Sequence, residues 1–434
     1  MKAKPKKQTP GTFLYPDLLD QLNPRHPLLK LAATIPWVRF EEEFSGLYSD
    51  QGRPAKPIRL MVGLMILKQL DNLSDERVVE VWTQNPYYQA FCAMKEFQWS
   101  LPCDPTDLIY FRKRIGEEGA RLIFEVSVKL HGSDAKEPEV TVDTTVHEKN
   151  VTFPTDLKLL TKIIEGCRRI ADCEGIQFRR SFKRSLPKLR MKRMKMARKA
   201  KKMRTMAGAL IRELRRKLPG EALARYQERL DLFERVRNQK RNDKNKVYSL
   251  HEPDILCISK GKAHKLYEFG RKASIVVTET TGVIVGAMSF TKNVYDGHTL
   301  PDVLEQTWAI TETCPSVAIC DRGYRGLKQV GDTQILIPGR PKKEDTQYQR
   351  LKARQRFRRR AAIEPVIGHL KHDHRMVRSY LKGAVGDAIN LFMAAAAFNF
   401  KKLMRKLGSF FALLAFLLFG VDSRQRLAAT AMEG

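Results

Sequence analysis

The sequence predicts an α/β protein: an all-α N-terminal domain, then a mixed-sheet core split by a basic helical insert. Three observations predict it. Up to about residue 132 the apolar residues recur at helical spacing. From Glu139 short, alternating, β-branched runs take over. Between the first such run and the next lies a stretch where positive charge concentrates, residues 161–250 carrying 29 Lys and Arg against 9 Asp and Glu.

A chain of 434 residues has room for two or three domains with sizeable cores, and its 43% hydrophobic content is that of a globular protein. Its formal charge of +31 is far from ordinary. Such an excess repels itself unless a polyanion neutralises it, and nucleic acid is the leading partner because Lys and Arg release counterions from phosphates. An anionic membrane surface and plain solvated charge are the alternatives. Cys92, Cys103, Cys167, Cys173, Cys257, Cys314 and Cys320 include no CxxC pair and are odd in number, which fits a reduced, cytoplasmic, nucleoid-associated protein without a zinc site. The basic N-terminus MKAKPKKQTPGTF has no apolar stretch after it, so no signal peptide is expected. The apolar run Phe410 to Phe419 is too short for a bilayer, which takes roughly 20 residues, and reads as a buried C-terminal helix.

Residues 1–50 read as an N-terminal arm, and 51–132 as a helical DNA-binding domain. IRLMVGLMILKQL, after Pro57, is apolar on most faces and predicts a buried helix. Ser74 caps a second helix with Asp75 and Glu76 in its first turn, and Pro86 opens a third. Thr106 or Asp107 starts TDLIYFRKRIG, which sets Arg112, Lys113 and Arg114 beside an apolar stripe of Leu108, Ile109, Phe111 and Ile115. Short helices followed by a basic one suggest a helix-turn-helix-like reader of DNA, with a plain helical bundle as the alternative.

EVTVDTTVHE predicts the first strand. The insert, 157–249, follows; its centre KLRMKRMKMARKAKKMRTM predicts an amphipathic helix or hairpin with one basic face that tracks a DNA backbone, or else a basic arm. ASIVVTET and GVIVGAMSF predict a hairpin turning at Thr280-Thr281-Gly282. A helix from about Leu300 to Thr311, a strand SVAIC ending at Asp321, a strand TQILIP and a basic helical region from about Tyr348 into the 370s follow. The core thus comprises 139–156 and 250–380, and 381–434 form C-terminal helices. Strand, insert, strand, strand, helix, strand, strand, helix is the element order of an RNase H-like fold.

Phosphodiester chemistry needs a phosphate held and neutralised and an oxygen nucleophile activated. Two Mg²⁺ ions do both, and they prefer carboxylate oxygens. Three carboxylates suit the task. Asp143 lies amid β-branched residues, where a charge is costly unless paired or bound to metal; an edge-strand Asp facing solvent is the alternative. Asp321 ends SVAIC, and Gly323 permits a sharp turn after it; an Asp that merely initiates a turn is the alternative. Phe357, Arg360, Glu364 and Lys371 share one helical face in the pattern F-x2-R-x3-E-x6-K, so Glu364 can hold metal while the two cations take phosphate oxygens. Pro365 requires the helix to kink at Glu364 or to start afresh there with Pro365 at its first position. His147, Glu148 and Asp156 read as a solvated loop, and the cluster His369, His372, Asp373 and His374 as a surface.

These motifs resemble the bacterial insertion-sequence transposases of the DDE class, in the insertion-sequence-four and insertion-sequence-five superfamily. That group carries Y-x2-R-x3-E-x6-K, with Phe357 here in place of the Tyr, a first Asp in a strand followed by hydroxyl residues (Asp143-Thr144-Thr145), and a second in D-x-G-Y (Asp321, Gly323, Tyr324). The resemblance spans about 50 to 405, including an N-terminal helical domain at 52–116, and leaves out the basic insert. It implies binding of terminal inverted repeats, hydrolysis that frees a 3′-OH, and strand transfer into target DNA. It also implies two Mg²⁺ ions, with Mn²⁺ as a substitute, on Asp143, Asp321 and Glu364. Arg360 and Lys371 would then sit on double-stranded DNA, and the protein would act as a homodimer on paired ends, with no membrane. A nuclease of the same fold without strand transfer, and a non-catalytic DNA-binding remnant, stay open.

Overall fold

The computed structural model describes residues 16–49, 51, 54–240, 242–262, 265–339 and 345–419. The N-terminal helices are α1 (Pro27–Thr34), α2 (Trp37–Ser45), α3 (Ile58–Leu70), α4 (Asp75–Gln84), α5 (Pro86–Phe91) and α6 (Pro105–Lys129). Strand β1 (Glu139–Lys149) precedes α7 (Asp156–Cys173), α8 (Ser185–Met191), α9 (Met196–Lys217) and α10 (Gly220–Asn238). Then come β2 (Leu256–Lys262), β3 (Lys265–Thr278), β4 (Ile284–Phe290), α11 (Leu300–Thr311), β5 (Val317–Ile319), β6 (Gln329–Val330) and β7 (Thr333–Leu336). The chain ends in α12 (Gln347–Arg360), α13 (Ile363–His372), β8 (Arg378–Ser379) and α14 (Gly383–Phe419). Two compact units result, Met1–His147 with Lys272–Gly434, and Glu148–Arg271.

In the first unit the strands run β4-β3-β1-β5-β7-β6. β3 and β4 pair antiparallel from Lys272↔Phe290 to Val277↔Ile284, turning at Gly282, whose φ of +64° suits a residue without Cβ. The Glu279 N–H donates to the Glu139 carbonyl, so β3 ends where β1 begins and the two are antiparallel. β1–β5 and β5–β7 are parallel. The helices expected at Ile58, Ser74, Pro86 and Leu300 form as read. Ser74 Oγ accepts the Arg77 N–H at 3.1 Å, and Asn85 Oδ1 accepts those of Tyr87 and Tyr88.

Three expectations need correction. Residues 27–45, placed in an arm, fold as α1 and α2. Pro27 opens α1, and Trp37, Phe40 and Phe44 bury on α2; both segments are shorter than a helix that shows a clear periodicity. α6 begins at Pro105 because Asp104, not Thr106 or Asp107, is its N-cap, with Asp107 Oδ2 closing the capping box on the Asp104 N–H, and it breaks at Gly116 (φ +60°). The helical region before residue 132 does not form a separate body. α14 packs on α3, α6 and β4 together, so one core serves helices and sheet. Asn399 of α14, fully buried, fixes the join: its amide donates to Ile284 O at 2.9 Å and Ser127 Oγ at 3.2 Å, and its Oδ1 accepts the Ile284 N–H at 3.0 Å. The stretch Gly383–Gly408 is long and apolar enough to cross a bilayer, yet it is mostly buried here as the core helix. Phe410 to Phe419 continue the same helix.

The second unit has its own core. α9 buries Ala200, Met203, Ala207, Leu210, Ile211 and Leu214, the three- and four-residue spacing of an amphipathic helix, and packs on α7 and α10. Its outer face carries Arg198, Lys201, Lys202, Arg212 and Arg216 in solvent. The insert is therefore a folded helical body rather than a basic arm. β2 pairs antiparallel with the first half of β3, from Leu256↔Gly270 to Ser259↔Tyr267.

Candidate active site

Parallel pairing of β1 with β5 brings two of the expected acids together. The register ends at Thr141↔Ile319; two residues further on stand Asp143, within β1, and Asp321, just past the end of β5, both half-buried. Residues of the same parity share a face, so both carboxylates leave the sheet on one side. Asp321 caps the short turn Arg322–Tyr324, its Oδ1 accepting the Gly323 N–H at 2.7 Å. Asp143 Oδ1 accepts the Thr144 N–H at 2.8 Å.

Gly323 serves this turn for a different reason from the one expected. Its φ is not in the left-handed region. What matters is space, since a Cβ there would lie 2.9 Å from Asp321 Oδ1 and 3.2 Å from Asp296 Oδ2.

Asp296 is the carboxylate that sequence reasoning missed. It begins a short turn before α11, and its Oδ1 accepts from Thr144 Oγ1 at 2.9 Å and from Lys272 Nζ at 2.7 Å. The Lys272 ammonium also donates to Val294 O at 2.6 Å. A loop Asp reads as a turn former; the available signal was Lys272, a charge inside the apolar run of β3 that needs a buried anion.

Two groups report the negative field. Burial pushes the Cys320 thiol up, and Asp321 and Asp143 push it further, while Arg360 opposes them. Tyr324 is fully buried, and its hydroxyl finds no hydrogen-bond partner among the described residues. Burial first, then Cys320, Asp143, Asp296 and Asp321, raise its phenol.

Glu364 stands apart from this group. α12 ends at Arg360 and α13 starts afresh at Ile363, so the break falls ahead of Glu364 and Pro365 is the third helical residue, where a missing N–H costs nothing. Glu364 in the first turn is favoured by the helix dipole. Its side chain is 69% exposed and lies 4.0 Å from Arg360 Nη2, on a guanidinium only 17% exposed. Arg360 thus links Glu364 to the sheet end by charge. Among the described residues, no three His, Cys, Asp or Glu side chains form a group ready to hold a metal ion. Lys371 is half-buried in the last turn of α13, and Phe357 is half-buried on α12. α12 has seven cations, no acid and no buried residue; Arg356 forks onto Glu139 at 2.7 and 3.2 Å.

Of the expected DNA-contacting trio on α6, Lys113 and Arg114 are exposed, whereas Arg112 is buried, donating to both oxygens of Asp75 at 2.8 and 2.6 Å. Arg112 holds α6 to α4 instead of facing a ligand. Ile109, read as part of the apolar stripe, is 41% exposed. Two histidines expected in solvent are buried: His147 meets Asn390 Nδ2 at 2.9 Å, and His374 meets the Gln69 carbonyl at 3.1 Å. His369 does lie on the surface, paired with Asp373 at 2.7 Å.

Two families of known proteins match the chain. A family described as a transposase domain matches residues 16–114, and the family described as the transposase DDE domain matches residues 236–400, which hold Asp321 and Glu364. Asp143 lies outside both stretches and reaches Asp321 through strand pairing. An uncharacterized protein, ORF8 in the nfe locus of Rhizobium meliloti, is 45% identical over 178 residues, covering 39% of this chain and 86% of that protein. No solved structure matches the chain. With both domain families matched in order, the chain belongs to the transposases that carry a DDE domain.

Proposed function

We propose that this transposase belongs to the insertion-sequence-four/insertion-sequence-five superfamily, binds the terminal inverted repeats of its element as double-stranded DNA, hydrolyses a phosphodiester to free a 3′-OH, and joins that end to target DNA. The observation that carries the reading is the pair Asp143 and Asp321 on neighbouring parallel strands. The order β4-β3-β1-β5-β7, antiparallel then parallel, supports an RNase H-like core.

The donors fit a divalent cation. Two half-buried carboxylates at neighbouring strand ends offer the oxygen donors such an ion prefers. Mg²⁺ is commonly held by one or two carboxylates and keeps several waters. Asp143 and Asp321 would hold it, with Mn²⁺ able to replace it, and Glu364, exposed beside Arg360, would complete a two-ion site once DNA is bound. When bound, the ions neutralise the phosphate and activate the attacking oxygen. The chain's own residues do the rest. Arg360 balances the carboxylates, and Lys371 takes a phosphate oxygen. Lys113, Arg114, the cations of α12 and the outer face of α9 supply backbone contacts. Joining two ends calls for a homodimer on paired DNA in the cytoplasm, at the nucleoid.

The test is product analysis. Labelled duplexes carrying the element's ends, incubated with the protein, Mg²⁺ and a plasmid, are expected to give labelled DNA covalently joined to the plasmid. Cut ends without joined product would assign a nuclease instead, and no cutting at all would leave a DNA-binding protein.

A further inference from the structure

Asp296 bridges the two acid-bearing elements. One of its oxygens accepts the Thr144 hydroxyl, next to Asp143 on β1; the other lies where a Cβ on Gly323 would meet it, in the turn that Asp321 caps. The first is a hydrogen bond beside Asp143; the second is close packing beside Asp321, where the two turns are also tied by the Tyr295 hydroxyl donating to Arg325 O at 3.2 Å. Lys272 neutralises Asp296: its side chain is 9% exposed, and its ammonium is committed to Asp296 Oδ1 and the Val294 carbonyl. The buried, unpartnered Tyr324 hydroxyl supplies an independent mark of the same spot, since the ring lies within the field of Asp143, Asp296 and Asp321.

We propose that Asp296, neutralised by Lys272, is a positioning residue that locks β1 to the Asp321 turn and so sets the spacing of the Asp143 and Asp321 carboxylates. The proposal rests on those two acids as the cation-holding pair and adds what holds them in register. An ion that tolerates little distortion of its oxygen ligands feels such a lock directly.

Two readouts test it on the full metal-free chain without DNA: Mn²⁺ affinity by titration calorimetry, and hydrogen exchange at the amides of Thr144, Gly323 and Tyr324. Asp296→Ala is expected to weaken Mn²⁺ binding at least about tenfold, the range for groups that orient ligands, and to speed exchange at those amides. Asp296→Asn keeps an oxygen for Thr144 and Lys272 but leaves the buried ammonium unneutralised, so it should lose stability and Mn²⁺ affinity while exchange at those amides stays closer to the parent than in Asp296→Ala. Thr144→Val, which keeps shape and loses only the hydroxyl, should move both readouts the same way by a smaller factor, and it carries the test if Asp296→Ala does not fold. Unchanged Mn²⁺ affinity and exchange in Asp296→Ala or Thr144→Val would overturn the lock. So would exchange in Asp296→Asn as fast as in Asp296→Ala, because charge rather than the hydrogen-bonded link would then be the agent. A parent protein that binds no Mn²⁺ would refute the cation-holding pair, while the exchange data would still decide the lock.

Discussion

Replacing Arg112 should destabilise the protein without touching its affinity for DNA. The guanidinium is 7% exposed and its partner Asp75 is 15% exposed, with Lys68 Nζ 2.7 Å from the same carboxylate. Burial pushes the Asp75 carboxyl up, but Arg112 and Lys68 outweigh it and hold it below its ordinary value. Arg112→Met keeps the apolar bulk and removes the fork. Breaking a buried pair by deleting one partner costs about 3–5 kcal/mol. Lys68 stays to share the charge, so the lower end applies: about 3 kcal/mol, or roughly a hundredfold in the unfolding equilibrium. Urea unfolding followed by circular dichroism reads the loss, and DNA binding across a salt series reads the rest. Lys113→Ala should do the reverse, leaving stability unchanged and lowering the salt slope by about one. An Arg112→Met protein as stable as the parent but with a reduced salt slope would refute the assignment and restore Arg112 to the DNA surface.

Other outcomes follow from the same geometry. Burial lowers the Lys68 ammonium to about 8, against 10.5 for the free side chain. Between those values the unfolded chain binds the extra proton, so stability should rise with pH across that window by about 3 kcal/mol, and Lys68→Met should flatten the rise in pH-dependent urea titrations. Gly323→Ala would press a methyl on Asp321 and Asp296 and should cost about 1–3 kcal/mol in thermal unfolding while weakening Mn²⁺ binding. Glu substitutions at Lys201 and Lys202 should lower DNA affinity with a shallower salt slope, of about 0.9 per lost phosphate contact, and leave the first unit's unfolding unchanged.

The sequence made most of the sheet legible because β-branched apolar runs mark β1, β3 and β4, and the Ser74 cap and Pro86 announce their helices. Asp143 and Asp321 could be picked out because each closes or interrupts an apolar strand. Arg112 was misread because a basic triplet on a helix looks solvated until Asp75, 37 residues earlier, is known to sit against it. His147 and His374 were misread likewise, since their partners Asn390 and Gln69 come from distant helices. Asp296 was invisible for the same reason: its meaning comes from Lys272 and Thr144, which only the fold delivers. The restart at Ile363 was half legible, as Pro365 signals a break but not its place.

The most direct test of the central claim is cleavage of end-bearing DNA by Asp143→Asn and Asp321→Asn proteins at saturating duplex and Mg²⁺. Asparagine keeps the oxygen that accepts the Thr144 or Gly323 N–H, so both variants should fold and bind DNA like the parent. Cleavage should fall in each to background. Cutting at the parent's rate by either variant would contradict the placement of the chemistry at the paired ends of β1 and β5.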